Sequence, residues 1–113
     1  MRVPSTDGVE ITVRDLGGEG PPLVLAHATG FHGRVWEPLA AHLTGFHLWS
    51  IDMRAHGDSD APADRPLEWY GFADDVLSVI DGIGLEKPYG VGHSKGAASL
   101  LLAEQARPGT FTA

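Results

Sequence analysis

The alternation of apolar and polar residues near the start of the chain predicts an antiparallel hairpin. Residues 9–14 alternate strictly, which is the period-two pattern of a half-buried strand. The dipeptide Asp7-Gly8 just before them is typical of a tight hairpin turn. We therefore expect a small antiparallel hairpin over residues 2–15. The continuous apolar run at residues 23–26 instead indicates a strand covered on both faces, as in a parallel sheet.

Three segments carry features of helices. Residues 36–43 predict a short helix with a proline in its first turn, where a missing N–H does no harm. In residues 67–83 apolar side chains recur at steps of three and four, which predicts an amphipathic helix capped by Gly84. Residues 97–106 predict a mostly buried helix that ends before a Pro-Gly pair.

Strands predicted at residues 46–51 and 89–92 complete an alternation of strands and helices. That order predicts an α/β fold in which the antiparallel hairpin leads into a parallel sheet with crossover helices. A chain of 113 residues holds one domain at most. Residues 110–113 resemble the approach to another strand, so we expect residues 1–113 to be a single incomplete domain, truncated before the later core strands.

Composition and charge narrow the function classes. The formal net charge is −7 with no basic cluster, which argues against nucleic-acid binding. Cysteine is absent, which excludes disulfides and thiolate nucleophiles, and the five-residue histidine spacings are unlike those of zinc ligands on a helix. Neither a membrane span nor a signal peptide is indicated, so a cytoplasmic protein with a small-molecule partner is the expectation. The oligomeric state is left open.

The most informative segment is residues 92–96, which match G-x-S-x-G between a predicted strand and a predicted helix. On such a turn the serine is forced into a strained conformation, and the flanking glycines let neighbouring backbone approach. Ser94 is therefore a candidate nucleophile, and the N–H of Lys95 at the helix N-terminus is a candidate oxyanion donor. For the pattern alone, close packing of a glycine-rich turn remains an alternative.

A dinucleotide-binding turn is a second alternative, because Gly90, Gly92 and Gly96 form G-x-G-x-x-x-G after a strand. The spacing is one residue too long, and the motif follows the third predicted parallel-type strand instead of the first. The position about 20 residues on, where an acidic residue is expected, is Thr112. No Gly-Lys-Ser/Thr triplet supports a phosphate-binding P-loop either.

Three motifs in order make the chain resemble the α/β-hydrolase fold serine hydrolases from about residue 9 to residue 113. Residues 23–31 with Trp36 resemble a strand followed by the His-Gly oxyanion loop of that family. Residues 50–60 are similar to its Asp-x-Arg-Gly-His-Gly-x-Ser-Asp loop, and residues 91–97 resemble its nucleophile elbow.

The resemblance implies a hydrolase that attacks a carboxylic ester or related acyl substrate through Ser94. The backbone N–H groups of Thr29 and Lys95 would form the oxyanion hole. A serine nucleophile, in place of the aspartate of the epoxide-opening and dehalogenating branches, implies acyl chemistry. We expect no cofactor and no metal. Ala28 departs from the family's usual glycine. Acyl transfer and peracid formation use the same groups and stay open.

Aromatic side chains supply candidates for the substrate site. Phe31, next to the oxyanion loop, is the expected substrate-binding residue. Trp69 and Phe72 recur at helical spacing, so we expect both in the core.

The catalytic triad is incomplete in these residues. In this family the order along the chain is Ser, then Asp or Glu, then His. After Ser94 there is one acid, Glu104, which should point away from the site, and no histidine. The motif histidines His27, His56 and His93 are expected to be hydrogen-bonded scaffold residues.

We therefore expect the acid and the histidine in downstream sequence, and near-inactivity of the 113 residues alone. The alternative function is a non-catalytic α/β domain that acts as a binding or interaction module.

Overall fold

A computed structural model describes residues 1–113 and contains one mixed five-stranded sheet in the order β1-β2-β4-β3-β5. The strands are β1 (Arg2–Pro4), β2 (Glu10–Gly17), β3 (Pro22–Ala26), β4 (His47–Asp52) and β5 (Tyr89–Gly92). The helices are α1 (Glu37–Ala40), α2 (Trp69–Ile83) and α3 (Lys95–Ala106), and a 3-10 turn at Gly33–Trp36 precedes α1.

The sheet is antiparallel at one side and parallel at the other. β1 pairs with β2 and β2 pairs with β4, both antiparallel. β3 lies between β4 and β5 and is parallel to each, with Leu23 opposite Leu48 and Ala26 opposite Gly92. The α/β fold class, with a hairpin leading into a parallel sheet, is confirmed. The parallel strands bring the ends of β3, β4 and β5 to one edge of the sheet.

Apolar side chains cover both faces of the sheet, as the continuous apolar run of β3 predicts. Val24 of β3 packs in the larger cluster with Phe72 and Val76 of α2. Leu23 and Leu25 point to the other face, where Trp36 and α1 cover a smaller cluster. Hydrophobic burial on two faces therefore holds β3 as the central strand.

The structure contains the tight turn and the helix cap that the sequence predicts. Asp7 and Gly8 have φ of 60° and 72°, the pair of positive values that a tight hairpin turn requires. Gly84 ends α2 in the left-handed conformation with φ of 82°. α2 begins at Trp69, two residues later than predicted, because Glu68 is extended with φ of −122° and ψ of 151°.

Several details differ from the predictions. The helix predicted over residues 36–43 is only the single turn Glu37–Ala40, which follows the 3-10 turn at Gly33–Trp36. α3 is less buried than expected, since Leu101 is 73% exposed. The prediction that Trp69 lies in the core is wrong, because its position at the start of α2 leaves it 53% exposed, whereas Phe72 is buried as expected.

The last residues lie beside β5 without forming a strand. The N–H of Thr112 donates to the carbonyl of Pro88 at 3.0 Å, and the N–H of Gly90 donates to the carbonyl of Ala113 at 2.9 Å. None of the helices is both long and apolar enough to cross a membrane.

Candidate active site

Ser94 occupies the sharp turn between β5 and α3. Its backbone has φ of 54° and ψ of −114°, a conformation that non-glycine residues adopt only under strain. Two hydrogen bonds hold the turn: the N–H of His93 donates to the carbonyl of Ala26, and the N–H of Gly96 donates to the carbonyl of His93. These hydrogen bonds, made by the residues on either side of Ser94, stabilise its strained backbone conformation.

The two flanking glycines are required by close backbone contacts. A Cβ at Gly92 would lie 2.5 Å from the nitrogen of Ala97. A Cβ at Gly96 would overlap the carbonyl oxygen of Ala26 in β3. Because both contacts involve backbone atoms, neither can be relieved by a side-chain rotation, and glycine is needed at each position.

The hydroxyl of Ser94 is free of a structural role in its own helix. Serine at a helix N-cap commonly accepts a hydrogen bond from the first turn, but the side chain of Ser94 makes no such bond. Ser94 is exposed at the C-terminal end of the parallel strands. Its Oγ is thus accessible to a bound molecule.

Two backbone donors near the elbow are also unused. Neither the N–H of Thr29 nor that of Lys95 donates to a backbone carbonyl. Thr29 lies in the loop after β3, where the N–H of Phe31 donates to the carbonyl of Ala28 and Gly30 has φ of 84°. The parallel pairing of β3 with β5 places this loop and the elbow at the same edge of the sheet.

The buried side chain of His27 holds the loop that contains Thr29. Its ring is fully buried, Nε2 accepts from the N–H of Met53 at 3.0 Å, and Nδ1 therefore carries the proton that it donates to the carbonyl of Ala28 at 2.8 Å. Burial disfavours the charged ring and lowers the pKa of His27. The ring is a neutral bridge between the ends of β3 and β4, the scaffold role that the sequence predicts.

His56 and His93 lie nearer the surface. Nδ1 of His56 donates to the carbonyl of Arg54 at 2.9 Å within its own loop. The ring of His93 stacks on Phe31, with 6.2 Å between ring centroids and an interplanar angle of 22°. Phe31 and His93 are both exposed, so the stacked pair forms an aromatic surface directly beside Ser94 in the chain.

Asp52, at the end of β4, connects the loops around the site. Its carboxylate accepts from the N–H of Gly33 at 2.6 Å, from the N–H of Asp58 at 2.9 Å and from the guanidinium of Arg14 at 2.5 Å. Burial would raise the pKa of Asp52, but these hydrogen bonds outweigh burial and hold the pKa below its ordinary value.

A second buried charge pair joins the loop after β4 to α2. The guanidinium of Arg54 donates to Asp75 at 2.8 Å and to Asp7 at 2.9 Å, and the side chains of Arg54 and Asp75 are 2% and 0% exposed. The sequence indicates Arg54 only as a motif position and does not indicate Asp75 as its partner. The available signal was an acidic residue within the buried stripe of an amphipathic helix.

No acid and histidine are assembled next to Ser94 within these residues. The carboxylate of Glu104 accepts from the N–H groups of Gly109 and Phe111, so it stabilises the turn after α3 and does not face the elbow. No group of three or more acidic or histidine side chains is placed to hold a metal ion. A cavity of about 430 Å³ between β5, α3 and residues 111–113 does not include Ser94 in its wall.

Comparison with known proteins identifies the family. Residues 21–108 match the family described as alpha/beta hydrolase fold. The chain is 35% identical over 96 residues to pimeloyl-[acyl-carrier protein] methyl ester esterase of Methylococcus capsulatus, covering 84% of this chain and 35% of that protein. It is 34% identical over 93 residues to (E)-2-((N-methylformamido)methylene)succinate hydrolase of Acinetobacter baylyi, covering 80% and 35%. Epoxide hydrolases are also among the relatives.

A solved structure shows the same relationship. The enol-lactonase from Burkholderia xenovorans LB400 superposes with a TM-score of 0.88 at 25% identity, over 98% of this chain and 44% of that chain. The chain spans about a third of the length of the curated relatives it matches. With its sheet order, elbow and family match together, this chain belongs to the alpha/beta hydrolase fold family.

Proposed function

We propose that the protein is a serine hydrolase that cleaves a carboxylic ester or a related acyl substrate. The observation that carries this proposal is the geometry of Ser94, an exposed hydroxyl on a strained strand-to-helix turn beside two unused N–H donors. A serine held in this way is positioned to attack an acyl carbon at the open edge of the sheet.

In the proposed reaction, Ser94 Oγ adds to the carbonyl carbon while its proton passes to a histidine base. The carbonyl oxygen becomes an oxyanion, which the N–H groups of Thr29 and Lys95 stabilise. Collapse of the intermediate expels the alcohol, which takes the proton from the histidine, and water then releases the acid from the acyl-enzyme by the same route.

The base and its acidic partner are proposed to lie in the part of the fold that the longer relatives have and these residues do not include. The 113 residues supply the nucleophile and the oxyanion donors, and Glu104 is engaged elsewhere. Without the base, the hydroxyl of Ser94 is a weak nucleophile, so the residual rate of these residues alone is expected to be small.

The chemistry of the substrate is inferred from the nucleophile and from the aromatic surface. The names of the esterase and enol-lactonase relatives point to ester bonds, whereas the epoxide hydrolase relatives point to a different reaction. Serine at residue 94 favours ester hydrolysis over epoxide opening. Attack of a serine on an ester gives an acyl-serine intermediate, which water hydrolyses with the help of the triad. Phe31, stacked on His93, is proposed to contact the apolar part of the substrate.

The test is covalent labelling of the native protein by a serine-directed fluorophosphonate. We expect one phosphonylated peptide containing Ser94 and complete loss of labelling in Ser94→Ala. We also expect hydrolysis of short-chain p-nitrophenyl esters by the native protein but not by Ser94→Ala. Ser78→Ala is the matched control, since Ser78 lies on α2 and its hydroxyl bonds to Ser5. Equal labelling of the native protein and of Ser94→Ala would overturn the proposal.

A second candidate, an interaction module without catalysis, is favoured by one observation. Tyr70 and Leu101 are 67% and 73% exposed, and with Trp69 and Leu102 they line an apolar depression between α2 and α3. Intact mass of the native protein separates the two candidates. A native mass of 12.0 kDa without Ser94 labelling supports the module, and a larger labelled protein supports the hydrolase.

A further inference from the structure

We propose that the side chain of Lys95 is a positioning residue, which clamps the start of α3 to α2 and so orients the oxyanion donor at the elbow. This inference rests on the proposed hydrolase function, because the donor in question is the N–H of Lys95 itself. The clamp consists of the Lys95 ammonium and the rings of Phe72 and Trp69.

The contact lies at the interface between the two helices. Nζ of Lys95 is 3.8 Å from the centroid of the Phe72 ring and 5.7 Å from that of Trp69. The two aromatic residues are three positions apart on α2, so they present neighbouring rings on one helix face. Phe72 is 1% exposed, which means that its ring is fixed by the core. The ammonium therefore contacts a rigid surface.

A positively charged side chain is unexpected at the first residue of α3. Lys95 is the first residue of α3, where the helix dipole disfavours positive charge. None of the ion pairs of the structure includes Lys95, and partial burial lowers its pKa. Attraction to the electron-rich faces of Phe72 and Trp69 is the interaction that offsets these penalties.

The clamp acts on the residue that carries the donor. The N–H of Lys95 makes no backbone hydrogen bond, and the carbonyl of Ser94 in the same peptide accepts from the N–H of Ala98 at 3.1 Å. The direction of this N–H therefore follows the position of the first turn of α3, which the clamp holds against α2. An interaction that anchors the side chain restricts the Cα of the same residue and hence the peptide between Ser94 and Lys95. Because oxyanion stabilisation depends on donor geometry, a small misorientation lowers the rate of the chemical step more than it lowers substrate binding.

The test uses the native protein with Lys95→Met, which keeps an apolar stem but removes the charge, and Lys95→Arg, which keeps the charge. For ester hydrolysis we expect kcat to fall about fivefold to tenfold in Lys95→Met with KM near that of the native protein. Lys95→Arg is expected to restore kcat to within about twofold. Lys87→Met is the matched control at the other, exposed lysine, and it should leave kcat and KM unchanged.

A double-variant cycle tests the partner. Phe72→Leu should lower kcat by a similar factor, and the Lys95→Met/Phe72→Leu pair should fall little further, because one interaction is removed in all three. Additive losses would overturn the clamp, as would equal kcat values in Lys95→Met and Lys95→Arg. If Lys95→Met does not fold, a folded Phe72→Leu variant with native kcat overturns it.

The outcomes also separate this inference from the proposed function. Hydrolysis that depends on Ser94 but not on the Lys95 charge removes only the clamp. If the native protein shows no ester hydrolysis that depends on Ser94, both the proposed hydrolase function and the clamp are overturned.

Discussion

The carboxylate of Asp52 accepts a hydrogen bond of 2.6 Å from the N–H of Gly33, so the end of β4 is tied to the loop that follows β3. The same carboxylate accepts from the N–H of Asp58 in the loop after β4. A Cβ at Gly57 would overlap Oδ2 of Asp52, which explains the glycine in that loop. One buried carboxylate thus sets the relative positions of two loops at the edge of the sheet where Ser94 lies.

Asp52→Asn is expected to lower the free energy of unfolding at pH 7 by about 2–3 kcal/mol, because an amide cannot accept from three donors and leaves Arg14 without its buried partner. Urea denaturation measures this loss. Asp58→Asn is the matched control, since the side chain of Asp58 pairs with the same arginine but is 66% exposed, and its loss should be much smaller. Equal losses in the two variants would contradict the role of Asp52.

The same residue predicts a pH dependence. The pKa of Asp52 is lower in the folded than in the unfolded chain, so the unfolded chain takes up its proton first as the pH falls. The stabilisation is therefore complete above about pH 4 and is lost as the pH falls through the folded-state pKa. We expect the difference in unfolding free energy between the native protein and Asp52→Asn to shrink as the pH falls below about 4. A constant difference over this range would contradict the prediction.

Asp75→Asn is expected to cost about 3–5 kcal/mol, because it leaves the buried guanidinium of Arg54 without its main counter-ion. Thermal and urea unfolding measure the effect. The exposed pair of Arg107 and Asp81, with side chains 45% and 62% exposed, provides the control, and Asp81→Asn should cost less than about 1 kcal/mol. A small loss in Asp75→Asn would show that α2 is not held by this pair.

Gly96→Ala is expected to distort the elbow, since its new Cβ overlaps the carbonyl oxygen of Ala26. We expect a fall in stability of about 2 kcal/mol or more and loss of phosphonate labelling at Ser94. Ala98→Gly, in the same helix, changes a side chain of the same size and should cost only about 1 kcal/mol while labelling is retained. Normal labelling in a stable Gly96→Ala protein would show that the elbow tolerates a Cβ there.

Thr29→Pro tests the proposed donor in the loop after β3, because proline has no N–H. We expect kcat for ester hydrolysis to fall about 100-fold or more, while Thr29→Ala, which keeps the N–H, stays within about threefold of the native protein. Circular dichroism checks that both variants fold. A folded proline variant as active as the alanine variant would exclude Thr29 as an oxyanion donor.

Much of the fold follows from patterns that are local in the chain. The alternation in residues 9–14 and the positive-φ turn at Asp7 and Gly8 predict the hairpin, and the apolar run of β3 predicts a strand covered on both faces. These predictions succeed because a strand or helix face is specified by residues only two to four positions apart. The G-x-S-x-G spacing likewise predicted the strained turn at Ser94.

The contacts that assemble the site could not be predicted from local patterns in the sequence. Asp52 with Gly33 and Arg54 with Asp75 join residues 19 and 21 positions apart, and no local pattern specifies which side chains meet across that separation. The exposure of Trp69 was likewise decided by where α2 begins, because Trp69 is the first residue of that helix.

By itself the sequence determined the hairpin, the strand β3 that is covered on both faces and the sharp turn carrying Ser94, since each depends on short-range sterics and hydrophobic periodicity. Only the tertiary structure decided which buried charges find partners and where the ammonium of Lys95 lies. Those outcomes depend on the packing of whole helices and strands. This packing removes a charged side chain from water and also brings it next to the group that compensates its charge.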